Sequence, residues 1–331
     1  MHDSLFLLVC VVIFAVIFDF INGFHDTANA IATSVSTRVL SPRNAIIMAT
    51  VLNLAGAITG TAVAKTVGSG LVDAGSITQL TVLSALLSAI IWDLITWYFG
   101  LPTSSSHAVL SSLVGAAIAT SGAGVVIGKG VLKILIGLVV SPLVGFVLGG
   151  FIMFCLARFF CNNSPSLVNN IFSRFQIASA AYMAFSHGNN DAQKTMGIIT
   201  MALVSFYHLP TFDVPLWVIG LCAVAMACGT AVGGWRIIKT LGTKLAHLRP
   251  INGFAAETAA ATVIEIASHI GLPLSTTHII SSSIMGVGAS KRISAVRWTV
   301  GGNIMAAWII TIPACAILAW AICKGVLIFA E

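Results

Sequence analysis

The sequence predicts an all-α, polytopic membrane protein with 10–12 transmembrane helical segments in two inverted-topology repeats, with interrupted or re-entrant helices. Two observations lead there: the composition and the duplicated polar motifs. Of 331 residues, 58% are apolar and 8% are charged, whereas soluble domains carry about 25% charged residues. The mean hydropathy is +1.02. This composition excludes a soluble domain and a disordered chain, and basic residues spread over short loops do not form a nucleic-acid-binding surface.

Apolar blocks of membrane-spanning length follow one another along the chain. No Lys or Arg precedes the first block at Leu5, so it is interpreted as a retained membrane helix rather than a signal peptide. A crossing needs about 20 residues, and the other blocks are 44–64, 77–99, 101–127, 131–157, 175–205, 215–234, 254–271, 272–289 and 299–323. We predict ten crossings, although the Pro-interrupted, Ser-rich blocks 101–127 and 272–289 could instead re-enter the membrane.

The crossings divide into a first repeat, 1–157, and a second repeat, 175–331, joined by a central cytoplasmic loop at 158–174. With the N-terminus outside, the outer loops and tail carry Lys65, Lys129, Lys133 and Lys324, whereas the inner loops carry eleven basic residues. The sixteenth, Lys194, lies within a crossing. The positive-inside rule therefore predicts that both termini are outside.

Polar motifs occur twice in the same order. Residues 100–107 read GLPTSSSH and 271–278 read GLPLSTTH, and GTAV occurs at 60–63 and 229–232. A weaker pair surrounds Asp26 and Asp191. Two repeats of five crossings point in opposite directions, and inverted repeats with interrupted helices are typical of secondary transporters.

Six acids fall within the apolar blocks: Asp19, Asp26, Asp93, Asp191, Glu257 and Glu265. An ionisable group at this depth costs about 2.5–3.5 kcal/mol, so each needs a partner or a function. Asp26 and Asp191 lie beside Gly and amide residues, including Asn29 and Asn190. Carboxylates, amides and backbone carbonyls freed at a helix interruption suit Na⁺, and the carboxylates could carry a proton. The alternative is that each Asp only caps a helix.

The hydroxyl clusters follow a proline, an order typical of a helix N-terminus. Free N–H groups, hydroxyls and the positive end of the helix dipole together favour an anion. The residues predicted to bind one small oxyanion are Thr103, Ser104, Ser105, Ser106, Ser275, Thr276 and Thr277. Residues predicted to support the two sites are Asn22, His25, His107, His187, Lys194, Glu257 and His278.

The motifs GFHDTANA at 23–30 and SHGNNDAQKTMG at 186–197, with the paired GLP stretches, resemble the inorganic phosphate transporter family of the PiT type. The second motif departs from the family pattern at Gln193 and Lys194. The resemblance implies import of phosphate, free or as a metal–phosphate complex, coupled to Na⁺ or H⁺. It assigns cations to Asp26, Asn29, Asn190 and Asp191, and phosphate to the two hydroxyl clusters.

The resemblance to compact prokaryotic members also implies the plasma membrane (the inner membrane in a Gram-negative cell), a PhoU-like accessory protein and a possible homo-oligomer. The alternatives are a permease for sulfate or another oxyanion, a passive anion channel, and an enzyme acting on a phosphorylated lipid. No nucleophile–base pair or metalloenzyme spacing is present, so we predict a non-enzyme without a cofactor other than its coupling ion.

Overall fold

The computed structural model describes residues 4–72 and 76–330, and these ranges form twelve α-helices and no β-strand. The helices are α1 (Leu5–Ser36), α2 (Pro42–Ala57), α3 (Ala62–Gly70), α4 (Gln79–Phe99), α5 (Ser105–Ser121), α6 (Gly128–Phe159), α7 (Pro165–Tyr207), α8 (Leu216–Val232), α9 (Trp235–Lys239, continued by a π turn at Thr240–Lys244), α10 (Pro250–His269), α11 (Thr276–Lys291) and α12 (Trp298–Ala330). The predicted all-α class and number of helical segments are confirmed.

Four of the described helices, α1, α4, α6 and α12, are individually long and apolar enough to cross a membrane. Two bent pairs reach the same length and hydropathy together: α2 with α3, bent by 68°, and α8 with Trp235–Lys244, bent by 59°. The other four helices, α5, α7, α10 and α11, carry most of the polar motifs. When each bent pair is taken as one unit, the helices form ten units at the positions of the ten predicted crossings.

The helices α1–α6 and α7–α12 repeat one order of elements. Each half has a long helix, a bent pair, a single helix, a hydroxyl-capped helix and a long final helix. Isolated bridges join Val72 to Val126 and Ala246 to Val296 at corresponding places. Packing follows the same correspondence, since α1 packs on α8 as α7 packs on α2, and α5 packs on α12 as α11 packs on α6. The halves are therefore interlocked; their inverted orientation stays a prediction.

The segment 158–174, predicted as a loop, is mostly helical. Helix α6 extends to Phe159 and α7 begins at Pro165, where the Ser164 hydroxyl accepts a hydrogen bond from the Leu167 N–H. Serine followed by proline is a strong helix start, because proline loses no hydrogen bond in the first turn. The irregular link is thus only 160–164.

The interruptions lie away from the aspartate motifs. Helices α1 and α7 run unbroken through Asp26 and Asp191, so no backbone carbonyls are freed there, contrary to our expectation. The adjacent glycines serve close packing instead: a side chain at Gly23 would collide with the Met226 carbonyl of α8, and one at Gly188 would collide with Asn53 of α2. Any cation bound beside these aspartates would therefore be held by side chains.

The GLPxS stretches terminate one helix and start the next. Gly100 and Gly271 adopt φ values of 65° and 69° after α4 and α10, a left-handed conformation that glycine adopts without steric cost. Ser104 and Ser275 then cap α5 and α11, each accepting a hydrogen bond from a backbone N–H at 3.2 Å. The predicted helix N-termini at both hydroxyl clusters are confirmed.

Two apolar clusters meet at the aspartate motifs. On α1, one cluster ends at Phe24 and the other begins at Ala28; on α7, they are separated by the stretch between Ala184 and Ala192. Apart from Phe185 and Gly188, the intervening residues are polar and buried. The aspartates therefore lie in a polar layer between two apolar bodies.

Candidate functional site

The Asp26 carboxylate is enclosed by polar side chains from three helices. His25 Nδ1 lies 2.7 Å from Asp26 Oδ1, and His25 Nε2 lies 3.1 Å from the Thr96 hydroxyl. The Thr277 hydroxyl, at the start of α11, donates to Asp26 Oδ2 at 3.2 Å. The Thr103 hydroxyl donates to Thr96 at 3.0 Å. Thr103 thus reaches Asp26 only through Thr96 and His25.

The Asp191 carboxylate has a corresponding environment. The Thr276 hydroxyl donates to Asp191 Oδ2 at 2.8 Å, and His187 Nε2 lies 3.0 Å from the same oxygen. The Lys194 ammonium donates to Asp191 Oδ1. His187 is held from behind by Asn53, whose Oδ1 lies 3.1 Å from His187 Nδ1. Adjacent hydroxyls of one helix N-terminus therefore bind the two aspartates, one from each half.

Of the four predicted cation residues, Asp26 and Asp191 come together, and Asn29 is linked to both through Thr276 and Thr277. Ligand atoms of Asp26, His187 and Asp191 all lie within 4.8 Å of one another, and all three residues are buried. The Asn29 amide donates to Thr276 and Thr277 at 3.3 and 2.9 Å. The structure thus brings His187, expected only to support the site, into the same group as the two aspartates.

Two buried amide oxygens test whether this group suits a cation. Asn29 Oδ1 and Asn190 Oδ1 have no hydrogen-bond partner within residues 4–72 and 76–330, and both side chains are 1% exposed or less. The Asn190 amide nitrogen donates to Ser268 at 2.9 Å. Buried acceptors are normally paired, and hard cations take oxygen ligands. The two carboxylates and Asn29 Oδ1 therefore fit a hard cation such as Na⁺, whereas the described residues show Asn190 in contact with Ser268 rather than with the aspartates.

The hydroxyl clusters divide into caps and inward-facing groups. The hydroxyl oxygens of Ser104 and Ser275 accept the capping hydrogen bonds of α5 and α11. Ser106 accepts from Lys194, and Ser105 Oγ has no partner among the residues described. The rings of His107 and His278 lie 4.8 Å apart, so the N-termini of α5 and α11 meet. Two positive helix ends converge there beside the aspartates, as an oxyanion site requires.

Lys194 lies between these two N-termini. Its ammonium donates to Ser106 of α5, to Asp191, and to the Leu274 carbonyl at 2.9 Å, just before α11. The side chain is 2% exposed. From the sequence, Lys194 was only a supporting residue that departed from the family pattern.

Glu257 lies elsewhere. It accepts hydrogen bonds from Thr33, Ser179 and Gln176, which lie on α1 and α7 away from the aspartate pair. Within the described residues, no contact therefore supports the predicted role of Glu257 at the site.

Asn22 lies one turn before Asp26 on α1. Its side chain is buried, and Asn22 Oδ1 has no hydrogen-bond partner in the described part of the chain.

Sequence reasoning missed a layer of residues that position the site. Gln193 Oε1 accepts from the Val63 N–H at 2.8 Å, at the start of α3, and Asn53 donates to Thr230 at 2.9 Å. Val63 and Thr230 belong to the two GTAV stretches. The duplication of GTAV was the available signal, because it marks the bent pairs that pack beside the aspartate helices.

Comparison with known proteins gives a consistent result. A family model described as the Phosphate transporter family matches residues 22–319. A probable low-affinity inorganic phosphate transporter of Bacillus subtilis (strain 168) is 50% identical over 322 residues, covering 96% of each chain. One with the same description from Rhizobium meliloti (strain 1021) is 46% identical over 314 residues, covering 94% of each.

A solved structure, described as the sodium-dependent phosphate transporter, is similar with a TM-score of 0.89 and 25% identity. The similarity covers 99% of this chain and 100% of that one. These relatives are transporters, not enzymes, and the apolar helices agree with a multi-pass membrane protein. This chain belongs to the phosphate transporter family.

Proposed function

We propose that this phosphate transporter is a secondary active symporter that imports inorganic phosphate together with Na⁺ or H⁺. One observation carries the proposal: Thr276 and Thr277 donate to Asp191 and Asp26 from the N-terminus of α11. The groups suited to an anion and the groups suited to a cation are therefore in direct contact. Because they share hydroxyls, a change of ligand at one rearranges the hydrogen bonds of the other.

The anion site is built from dipoles and hydroxyls with one buried ammonium. The N–H groups at the starts of α5 and α11, Ser105, Ser106, Thr276 and Thr277 would surround a phosphate. A protonated phosphate can also donate a hydrogen bond to Asp26 or Asp191, which fully ionised sulfate cannot do. This difference supports phosphate over sulfate as the substrate.

The cation site combines Asp26 and Asp191 with the unpaired oxygens of Asn29 and Asn190. Oxygen ligands support Na⁺, and so does the description of the similar solved structure as sodium-dependent. Carboxylates in contact with His25 and His187 equally support a proton. A bound cation at either aspartate would offset its repulsion of phosphate, which is the physical basis of coupling.

Several finer features belong to the same proposal. The interlocked, duplicated halves support alternating access around a midplane site. The distribution of basic residues supports external termini in the plasma membrane. Transport of a metal–phosphate complex, a PhoU-like accessory protein and homo-oligomer formation stay predictions from the family resemblance.

Uptake of labelled phosphate into proteoliposomes tests the proposal. A Na⁺ gradient is imposed in one set and a pH gradient in another, each with and without excess sulfate. We expect accumulation above the external concentration under at least one gradient, resistant to sulfate and abolished by Asp26→Asn. Accumulation that sulfate suppresses would assign an oxyanion permease, and equilibration without accumulation would assign a passive anion channel.

A further inference from the structure

The two aspartate motifs differ in charge at the matching position three residues after each aspartate. On α1 this position is Asn29, whose amide donates to Thr277 near the start of α11. On α7 it is Lys194, whose ammonium donates to Ser106 near the start of α5. Ser106 and Thr277 occupy the same place in the GLP stretches. A positive charge in the second half thus replaces a neutral amide in the first.

Lys194 has every N–H occupied. An ammonium offers three donors, and Asp191, Ser106 and the Leu274 carbonyl accept them. An unpaired charge in a dry interior is strongly unfavourable, so the ammonium exchanges partners only when another acceptor replaces the one it leaves. A phosphate between the two N-termini would bring an oxygen within reach of the ammonium beside Ser106 and the Leu274 carbonyl, and this oxygen could replace Asp191 as the third acceptor.

We propose that Lys194 is a tethered cation that exchanges Asp191 for phosphate when the substrate binds. The proposal rests on the symport function proposed above. Without phosphate, the ammonium neutralises Asp191 and occupies one carboxylate oxygen of the Asp26–His187–Asp191 group. When phosphate binds between α5 and α11, the flexible side chain contacts a phosphate oxygen, a strong charge-assisted partner. Asp191 is then released for the coupling cation.

The exchange makes phosphate and cation binding mutually dependent. Phosphate binding alone leaves the buried Asp191 without its counter-charge, and cation binding alone competes with Lys194. When both bind, the cation neutralises Asp191 and phosphate neutralises Lys194. Such coupling between two ligands is reciprocal, and typical values correspond to about 5- to 150-fold in affinity.

A double-mutant cycle on phosphate binding tests the exchange, and it does not require that the coupling ion be known. The dissociation constant is measured on the detergent-solubilised full chain with labelled phosphate, in choline chloride at one fixed pH. The four proteins are the unmodified chain, Asp191→Asn, Lys194→Asn and the double variant. Lys194→Asn copies the residue at the matching position of α1, and Lys194→Gln provides a longer neutral side chain.

We expect Asp191→Asn to tighten phosphate binding by about tenfold or more, within the typical range of coupling between two ligands. The reason is that Lys194 no longer has to leave a carboxylate to reach the phosphate. Lys194→Asn and Lys194→Gln should weaken phosphate binding, and Asp191→Asn should give a clearly smaller gain in the Lys194→Asn background, where it removes only the repulsion between carboxylate and phosphate. Lys65→Asn removes an equal charge from a solvent-exposed side chain and should leave the constant unchanged. Size-exclusion profiles identify any variant that fails to fold.

Two results would overturn the exchange. One is an equal effect of Asp191→Asn in the presence and absence of Lys194, and the other is unchanged phosphate binding in both Lys194 variants. Either result together with normal gradient-driven uptake by the unmodified chain would remove this proposal and leave the symport function standing. Absence of phosphate binding by the unmodified chain in both choline and sodium chloride would contradict both.

Discussion

Single hydroxyl groups connect the two kinds of ligand in this protein. Thr277 accepts a hydrogen bond from Asn29 and donates one to Asp26, so its oxygen lies between an amide and a carboxylate. Thr276 makes the same type of connection to Asp191. The sequence indicated hydroxyls at a helix N-terminus, but it could not show which would face the aspartates, because that depends on how α11 packs against α1 and α7.

Thr277→Val removes the connecting hydroxyl at nearly constant volume. Because a buried polar group left unpaired costs about 1–3 kcal/mol, we expect phosphate affinity to fall about 5- to 150-fold. Equilibrium binding of labelled phosphate measures the change. Thr262→Val is the matched control, since among the described residues the Thr262 hydroxyl bonds only the Thr258 carbonyl of its own helix. Equal affinity of both variants would contradict the connecting role of Thr277.

At the scale of helices, close approach between the halves depends on small residues. Gly145 and Gly149 of α6 lie directly against the backbone of α11 at Ile279 and Ser283. The Ser283 hydroxyl donates to the Gly145 carbonyl at 3.1 Å. In membranes, such small residues permit the backbone proximity that stabilises a helix pair. This contact supports the helix whose N-terminus touches both aspartates.

Gly145→Ala should destabilise the protein. An added Cβ would lie 2.6 Å from the Ile279 carbonyl oxygen, and overpacking of this kind costs about 1–3 kcal/mol. Gly137→Ala on the same helix is the control, because its Cβ would meet only Leu274 Cδ2 at 3.9 Å. Thermal unfolding in one detergent compares them. Equal unfolding temperatures of the two variants would contradict the close approach of α6 and α11 at Gly145.

The sequence predicted helix boundaries well where capping residues specify them, as at Ser104 and Ser275. It failed at Gly23 and Gly188, which suggested breaks beside the aspartates. A glycine permits either a break or a close contact, and only the partner helix decides between them. The loop expected at 158–174 failed for another reason: α7 begins at a Ser–Pro start, Ser164 and Pro165, inside a polar stretch.

For the whole molecule, the pairing of Asp26 with Asp191 was predictable from the duplication, since matching positions of two repeats meet near their common axis. The packing of each half against the other was not predictable, because the contacts of α1 with α8 and of α7 with α2 depend on surfaces that no motif marks. Orientation in the membrane is also a property of the whole chain, and its prediction rests on the distribution of basic residues between the loops.

Cys161 provides a test of orientation. It is a free, exposed thiol in the link between α6 and α7, and the proposed external position of both termini would place this link on the cytoplasmic side. A membrane-impermeant maleimide should label it in inside-out vesicles and leave it unlabelled in intact cells. Cys161→Ser identifies the labelled thiol, because the vesicle signal should disappear in that variant. Labelling of Cys161 in intact cells would reverse the assigned topology.

The most direct test of the central claim, that phosphate and cation move through one coupled site, is the null point of phosphate flux. Proteoliposomes are loaded with phosphate, opposing cation gradients are imposed, and the gradient that stops net flux is recorded at clamped membrane potential. We expect a null point that shifts with the Na⁺ or H⁺ gradient and loses that shift in Asp26→Asn. A null point independent of both gradients would contradict it.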